Sequence, residues 1–149
     1  MKTAVVYYSK HHGNTKKLLD AIKSASSDEI TLFDATKTPP ENLEEYDLIG
    51  FASGIYYSKF QKNVLEFARN HTPSGKKMFL IYTCGVKKDG YTKAIREALA
   101  GTNANILGEF GCLGFDTFGP FKLVGGIAKN HPTASEIHSA VSFYDHLCK

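Results

Sequence analysis

The chain has 149 residues, 42% of them apolar and 22% charged, with a formal charge of +3. That is enough for one domain with a sizeable core, expected to span residues 1–149 with no internal linker or repeat. It has no apolar run near the ~20 residues of a membrane span, no secretory pattern and no basic stripe interleaved with aromatics. The expectation is therefore a cytoplasmic protein with neither membrane nor nucleic acid as partner.

The first element is "TAVVYY" (3–8), apolar almost throughout, as expected of a parallel strand covered on both faces. It runs into "SKHHGNT" (9–15) and then a helix whose apolar stripe is Leu18, Leu19, Ile22 and Ala25. "EITLFD" (29–34) alternates, which suits a strand at a sheet edge, and "TKTPPENLEEY" (36–46) is too proline-rich for a regular helix. "YDLIGFAS" (46–53) and "MFLIYT" (78–83) read as further buried strands, separated by a helix on Phe60, Val64, Phe67 and Ala68. A third helix follows on Tyr91, Ala94, Ile95, Ala98 and Leu99, and then a last strand in "ANILGEFGCLG" (104–114). The stretch "GFDTFGPFKLVGGIAKNHP" (114–132) is long for a loop; its three Phe residues are expected to order it by packing and to let it cover part of a site. The final helix carries Ile137, Ala140, Val141, Tyr144 and Leu147. Thr133 or Ser135 could cap it, with Glu136 three residues after Thr133. Strands alternating with helices predict an α/β fold with a parallel sheet, and ligands in such sheets sit at the carboxyl ends of the strands.

Residues 9–15 lie at such an end and open the first helix. Its unpaired first-turn amides and partial positive charge favour an anion. Gly13 allows close backbone approach, Ser9 and Thr15 supply hydroxyls, Asn14 an amide, and His11 and His12 further donors. The pattern points to a phosphate; the plain alternative is that Ser9 or Asn14 only caps a helix. No GxxxxGK[ST] occurs, since "SGKK" (74–77) lacks the upstream Gly, and there is no GxGxxG. A phosphate-accepting response regulator needs carboxylates after the first and third strands, where this chain reads "YYSK" and "FASG". The three cysteines, Cys84, Cys112 and Cys148, form no CxxC pair, and the histidines lack zinc-like spacing, so reduced thiols and no metal are expected.

With "YSKHHGNT" ahead of an amphipathic helix, the chain resembles the flavodoxin family, whose FMN-phosphate loop usually reads Ser/Thr, variable residues, then Thr-Gly-Asn-Thr. Here His12 stands where that family has Thr, and the loop is one residue longer. The resemblance implies a three-layer sandwich, with a five-stranded parallel sheet of order 2-1-3-4-5 and helices on both faces. It implies FMN as cofactor, its phosphate held by Ser9, Lys10, His11, His12, Gly13, Asn14 and Thr15. A second loop, Ser53, Gly54, Ile55, Tyr56 and Tyr57, would follow the third strand. There Tyr56 or Tyr57 would stack on the isoalloxazine ring, and Gly54 would let the backbone flex toward it. A third loop, Thr83, Cys84, Gly85 and Val86, would border the ring's other side. Tyr91 could reach the ring or belong to the third helix's stripe. Cys84 has no sequence neighbour to activate it and reads as an inert buried thiol.

The function implied is electron transfer between redox partner proteins, by a monomer. Because the familiar carriers are acidic and this chain is basic, acidic partners are expected. The alternative is an FMN-dependent oxidoreductase of the same fold. It would be an NAD(P)H-dependent reductase or, from the likeness of "GFASGIYYSKFQKNVLEFA" to protoporphyrinogen-oxidase flavodoxin domains, a substrate dehydrogenase. A third class is a redox-sensing or interaction module that binds FMN without turnover.

Overall fold

The computed structural model describes residues 1–10, 12–40 and 42–147. In chain order these form β1 (Lys2–Tyr8), α1 (Asn14–Ala25), β2 (Glu29–Asp34), β3 (Leu48–Tyr56), β4 (Lys59–Phe60), α2 (Lys62–His71), β5 (Lys77–Cys84), α3 (Lys93–Leu99), β6 (Asn105–Leu113) and α4 (Ala134–Leu147). Short 3₁₀ turns lie at Ala100–Thr102 and Gly119–Val124. The main sheet is parallel, ordered β2-β1-β3-β5-β6, with β4 paired to β3 outside that path. Setting β4 aside, this is the expected 2-1-3-4-5 order, with "EITLFD" at one edge. The correction is β4 itself: two residues that fold back antiparallel on Ile55 and Tyr56, too short to show a period in the sequence.

Two cores follow from the alternation of side chains along strands that are apolar on both faces. Val6, Phe51 and Leu80 pack toward α2 and α3, whereas Val5, Ala52 and Ile81 pack toward α1 and α4. α1 lies against α4, and α2 against α3. Two glycines allow large rings to lie flat within these layers. Gly50 is the cross-strand partner of Phe79 and Gly111 that of Tyr82. A Cβ on Gly50 would stand 2.3 Å from the Phe79 ring, and one on Gly111 2.1 Å from Tyr82. Each ring occupies its partner's missing side chain.

The last helix begins at its sequence signal. Thr133 Oγ1 accepts from Glu136 N and Glu136 Oε1 accepts from Thr133 N, so Thr133, not Ser135, closes the reciprocal box ahead of α4. The proline-rich 36–46 stretch is turns and coil among its described residues, anchored by buried Leu43 and Tyr46.

At the amino end of the sheet polar groups are linked in a network. Thr3 Oγ1 lies 2.8 Å from the Tyr144 hydroxyl, which donates to Asp28 Oδ2, and Asp28 pairs with the Met1 ammonium at 3.4 Å. At the carboxyl end, the loops after β1, β3 and β5 converge with the 114–124 segment.

Candidate functional site

β1 ends at Tyr8, and the chain turns into α1 through two left-handed residues, His12 (φ 58°) and Gly13 (φ 65°). Gly13, at the N-cap, has no side chain to bond the first turn. Ser9 serves instead, its Oγ accepting from Lys16 N at 2.9 Å. Thr15 reaches across to β5, its hydroxyl 2.9 Å from that of Thr83, so the first and third loops are directly joined. Asn14 Nδ2 donates to Phe115 O at 2.7 Å, while its Oδ1 is buried with no partner among the described residues. His12 Nε2 lies 2.9 Å from Thr117 Oγ1, and its ring packs 4.3 Å from Phe115. Lys10 points away to Asp34, 3.4 Å distant. His11 lies outside the described residues.

The second loop differs from expectation in one respect. Gly54 is laddered to Thr83 inside β3, and Ser53 is fully buried, its Oγ accepting from Gln61 N. Neither residue sits on a free loop. The special backbone lies two residues further on, where Tyr57 (φ 51°) and Ser58 (φ 65°) form a two-residue hairpin turn between β3 and β4. Such turns need positive φ at both central residues and favour Gly or Asn, so this one is strained. Tyr56 is wedged edge-on between Tyr8 and Phe118, at 5.7 and 5.2 Å. Burial, then the nearby Tyr8 and Asp116, push its phenol up to about 12, so it stays protonated. Tyr57 is 84% exposed, and its ring meets Phe118 edge-on at 5.4 Å.

In the third loop, Thr83 and Cys84 still belong to β5, Gly85 turns away, and Val86 is exposed. Cys84 Sγ faces Cys112 O, and burial pushes its thiol up to about 11, consistent with an inert group. Gly85 allows close approach: a Cβ there would come 2.7 Å from Asp116 Oδ2. Tyr91 lies in the turn before α3 instead of on that helix's stripe. Its buried ring lies against Tyr82 at 5.6 Å, and its hydroxyl donates to Val86 O on the wall of the cleft described next.

These loops enclose two joined spaces. A slot of about 20 Å³, room for a single water, lies among Ser9, Asn14, Thr15, Thr83 and the 114–118 segment. A cleft of about 520 Å³ opens beyond it, walled by Tyr57, Val86, Tyr91, Phe118 and Phe121. Ile55, Cys84, Gly85, Asp116 and Phe118 line both. Of the expected residues, Ser9, Asn14, Thr15, Gly54, Tyr56 and Thr83 line the slot, and Tyr57 and Val86 the cleft. Lys10, His12, Gly13 and Ser53 line neither. The 114–132 segment does cover the site, as its phenylalanines suggested. Asp116 carried no sequence signal, because it reaches the site only through the Asp116–Ile127 bridge that folds the segment on itself. Among the described residues no group of His, Cys, Asp or Glu could hold a metal, and no helix is long and apolar enough to cross a membrane.

Comparison with known proteins gives a consistent result. A flavodoxin domain family matches residues 5–114. An uncharacterized protein of Methanocaldococcus jannaschii is 38% identical over 151 residues, covering 100% of this chain and 99% of its own. A solved flavodoxin from the domain Archaea superposes with TM-score 0.73 at 17% identity, over 100% of both chains. A solved NADH:FMN oxidoreductase superposes less closely, with TM-score 0.60 at 15% identity, over 98% of this chain and 87% of its own. At such identities the solved structures speak for the fold alone.

Proposed function

Because this chain belongs to the flavodoxin domain family, we propose that it binds FMN across the slot and the cleft and carries electrons between proteins. The observation behind this reading is that the two spaces lie side by side and share five lining residues. A helix N-terminus flanked by hydroxyls stands at one end, and an aromatic-walled cleft large enough for a flat ring system at the other. One elongated ligand with an anionic head and a planar tail matches both.

The residues fit such a cofactor in kind. Ser9 and Thr15 would supply hydroxyl donors to the phosphate, and α1 its first-turn amides. Asn14 Oδ1 is a buried acceptor suited to a ribityl hydroxyl. Tyr57, Val86 and Phe118 would exclude water from the ring. The slot is narrow, about 20 Å³, so a phosphate ester would have to widen it. FMN supplies one- and two-electron chemistry when bound; the protein's part is to hold it, orient it and keep it dry. The protonated Tyr56 and the inert Cys84 add no acid, base or nucleophile of their own.

The Phe118 and Phe121 wall favours a second reading, an oxidoreductase that admits a small substrate beside the ring. The two readings separate on one experiment with purified protein. Acid release of the chromophore should yield FMN and not FAD, since the slot has no adenine-sized continuation among its described walls. Anaerobic NADPH without a partner should leave the yellow colour unbleached. Recovery of FAD would overturn the cofactor, and rapid bleaching would replace the carrier with the enzyme.

A further inference from the structure

The mouth of the cleft carries a surface that the FMN reading alone does not require. Among the described residues the four most exposed large apolar side chains are Leu123 (89%), Tyr57 (84%), Val124 (72%) and Val86 (51%). All four belong to the cleft's rim. Tyr57 and Val86 line it, while Leu123 and Val124 end the 3₁₀ turn whose Gly119 and Phe121 form its wall. Nothing in their own packing explains them, and apolar groups gathered around a concavity mark an interaction surface.

The charges around them have one prevailing sign. Lys59 follows Tyr57 and Ser58, Lys87 and Lys88 follow Val86, and Lys122 precedes Leu123. All four lysines are exposed and make no ion pair with another described residue; Lys88 lies over the Tyr91 ring at 5.7 Å. Elsewhere Lys2, Lys10, Lys16, Lys76 and Arg96 are paired with carboxylates. Other exposed lysines, such as Lys23 and Lys62, also show no pair with a described residue, so what sets the four apart is their place around one hollow. Only two acids lie on these segments. Asp89 is exposed beside Lys88, and Asp116 lies inside the cleft, where its Oδ1 accepts from Phe118 N.

Resting on the reading of the cleft as the flavin's ring site, we propose that this rim docks a small acidic redox protein. Its apolar spot would cover Tyr57, Val86, Leu123 and Val124, and its carboxylates would meet Lys59, Lys87, Lys88 and Lys122. An apolar centre inside a charged rim is the usual anatomy of a transient protein interface, with the charges steering encounter. The same elements would suit an anionic bilayer less well. The apolar residues come from three separate segments around a hollow, and the one helical piece is a six-residue 3₁₀ turn, too short for a membrane-lying amphipathic face.

The test uses the full, ¹⁵N-labelled chain with FMN added, titrated at low salt with an acidic [2Fe–2S] ferredoxin, with basic cytochrome c and with phosphatidylglycerol vesicles. Ferredoxin should shift amides at 57–59, 86–88 and 121–124. Lys59→Glu with Lys122→Glu should weaken it about tenfold or more and strengthen cytochrome c. Leu123→Ser with Val124→Ser should weaken ferredoxin without altering flavin titration. Dispersed spectra of both variants establish that they fold. Shifts on another face, ferredoxin affinity unmoved by charge reversal, or binding of vesicles alone would overturn the proposal. Amide shifts need no flavin, so a failure to bind FMN, read separately by absorbance, would strike the cofactor reading and leave the docking result standing on its own.

Discussion

The two ends of this sheet are built on opposite principles. At the amino end Thr3, Tyr144, Asp28 and the Met1 ammonium bond to one another in a partly buried chain. At the carboxyl end the backbone takes left-handed turns at His12, Tyr57 and Ser58, an Asn14 oxygen is buried without a partner among the described residues, and apolar side chains stand in solvent. The same strands run between both. The division is not complete, since Asn103 (φ 54°) and Thr72 Oγ1, unpartnered among the described residues, lie on connections leading into the amino ends of β6 and β5. The open, carboxyl end nonetheless gathers its strain and unmet polar capacity around the slot and cleft, where a ligand can use them.

The largest expected effect breaks the open end. Ser9→Ala with Thr15→Ala should weaken FMN on the order of 100-fold, because each lost charge-assisted hydrogen bond is worth roughly 1.5–3 kcal/mol. In the sequence these side chains point to the ligand, with Ser9 alternatively a helix cap. In the fold they also bond Lys16 N and Thr83, so the double variant should lose stability as well, by about 2 kcal/mol. Flavin titration beside urea denaturation separates the two effects, and unchanged flavin affinity would move the phosphate elsewhere. The complementary change is Tyr144→Phe at the amino end, which strips Thr3 and Asp28 of a partner. About 1–2 kcal/mol of stability should be lost with no change in flavin affinity. A fall in flavin affinity would show that the ends are not separable.

Ser58→Gly should relax the hairpin turn and raise stability by about 1 kcal/mol, the reverse of the usual penalty for glycine. Thermal melts decide it; a loss would mean that the serine side chain holds the turn.

A pH-dependent tie lies at the carboxyl end, where β6 leads into α4. Partial burial alone would raise the Glu136 carboxyl, but hydrogen bonds from Thr133 and His131 outweigh it and hold the group below its usual range. Glu136 also accepts from Leu113 N at the end of β6. With its folded value depressed, its contribution is complete above the unfolded value of about 4.3 and is lost as pH falls through the lower folded one. Melting temperatures of the parent should therefore drop toward pH 3 more steeply than those of Glu136→Gln. Parallel curves would remove Glu136 from the acid response.

The smallest effect concerns charge at the rim. Lys87→Glu with Lys88→Glu should make the potential of bound FMN more negative by some tens of millivolts at low salt, and by less at high salt, because exposed charges are screened. A potential that stays or rises would show that these lysines do not reach the ring.

The sequence carried most of this fold because β1, β3 and β5 are buried on both faces and read as unbroken apolar runs. The β1–α1 loop was legible for the same local reason: glycine, hydroxyls and a helix start lie within seven residues. What escaped was non-local. Asn14 meets Phe115 and His12 meets Thr117 across more than a hundred residues, and no periodicity encodes that. The sequence places backbone freedom at Gly54 because glycine advertises it. The turn fell instead on Tyr57 and Ser58, which advertise none, because β4 closes a hairpin there.

The paired glycines and rings in the central strands have a consequence for how this sequence can change. If β5 slipped one residue against β3, Phe79 would face Ile49 or Phe51 instead of Gly50, and every side chain on the strand would also exchange faces. Gly50 and Phe79 thus act as a tooth and notch that admit one alignment, and Tyr82 with Gly111 repeats the device one strand over. Neither member can drift alone: enlarging the glycine strikes a ring, and shrinking the ring leaves a hole above bare backbone. Among relatives of this chain, substitutions at 50 and 79, and at 82 and 111, should arrive in pairs.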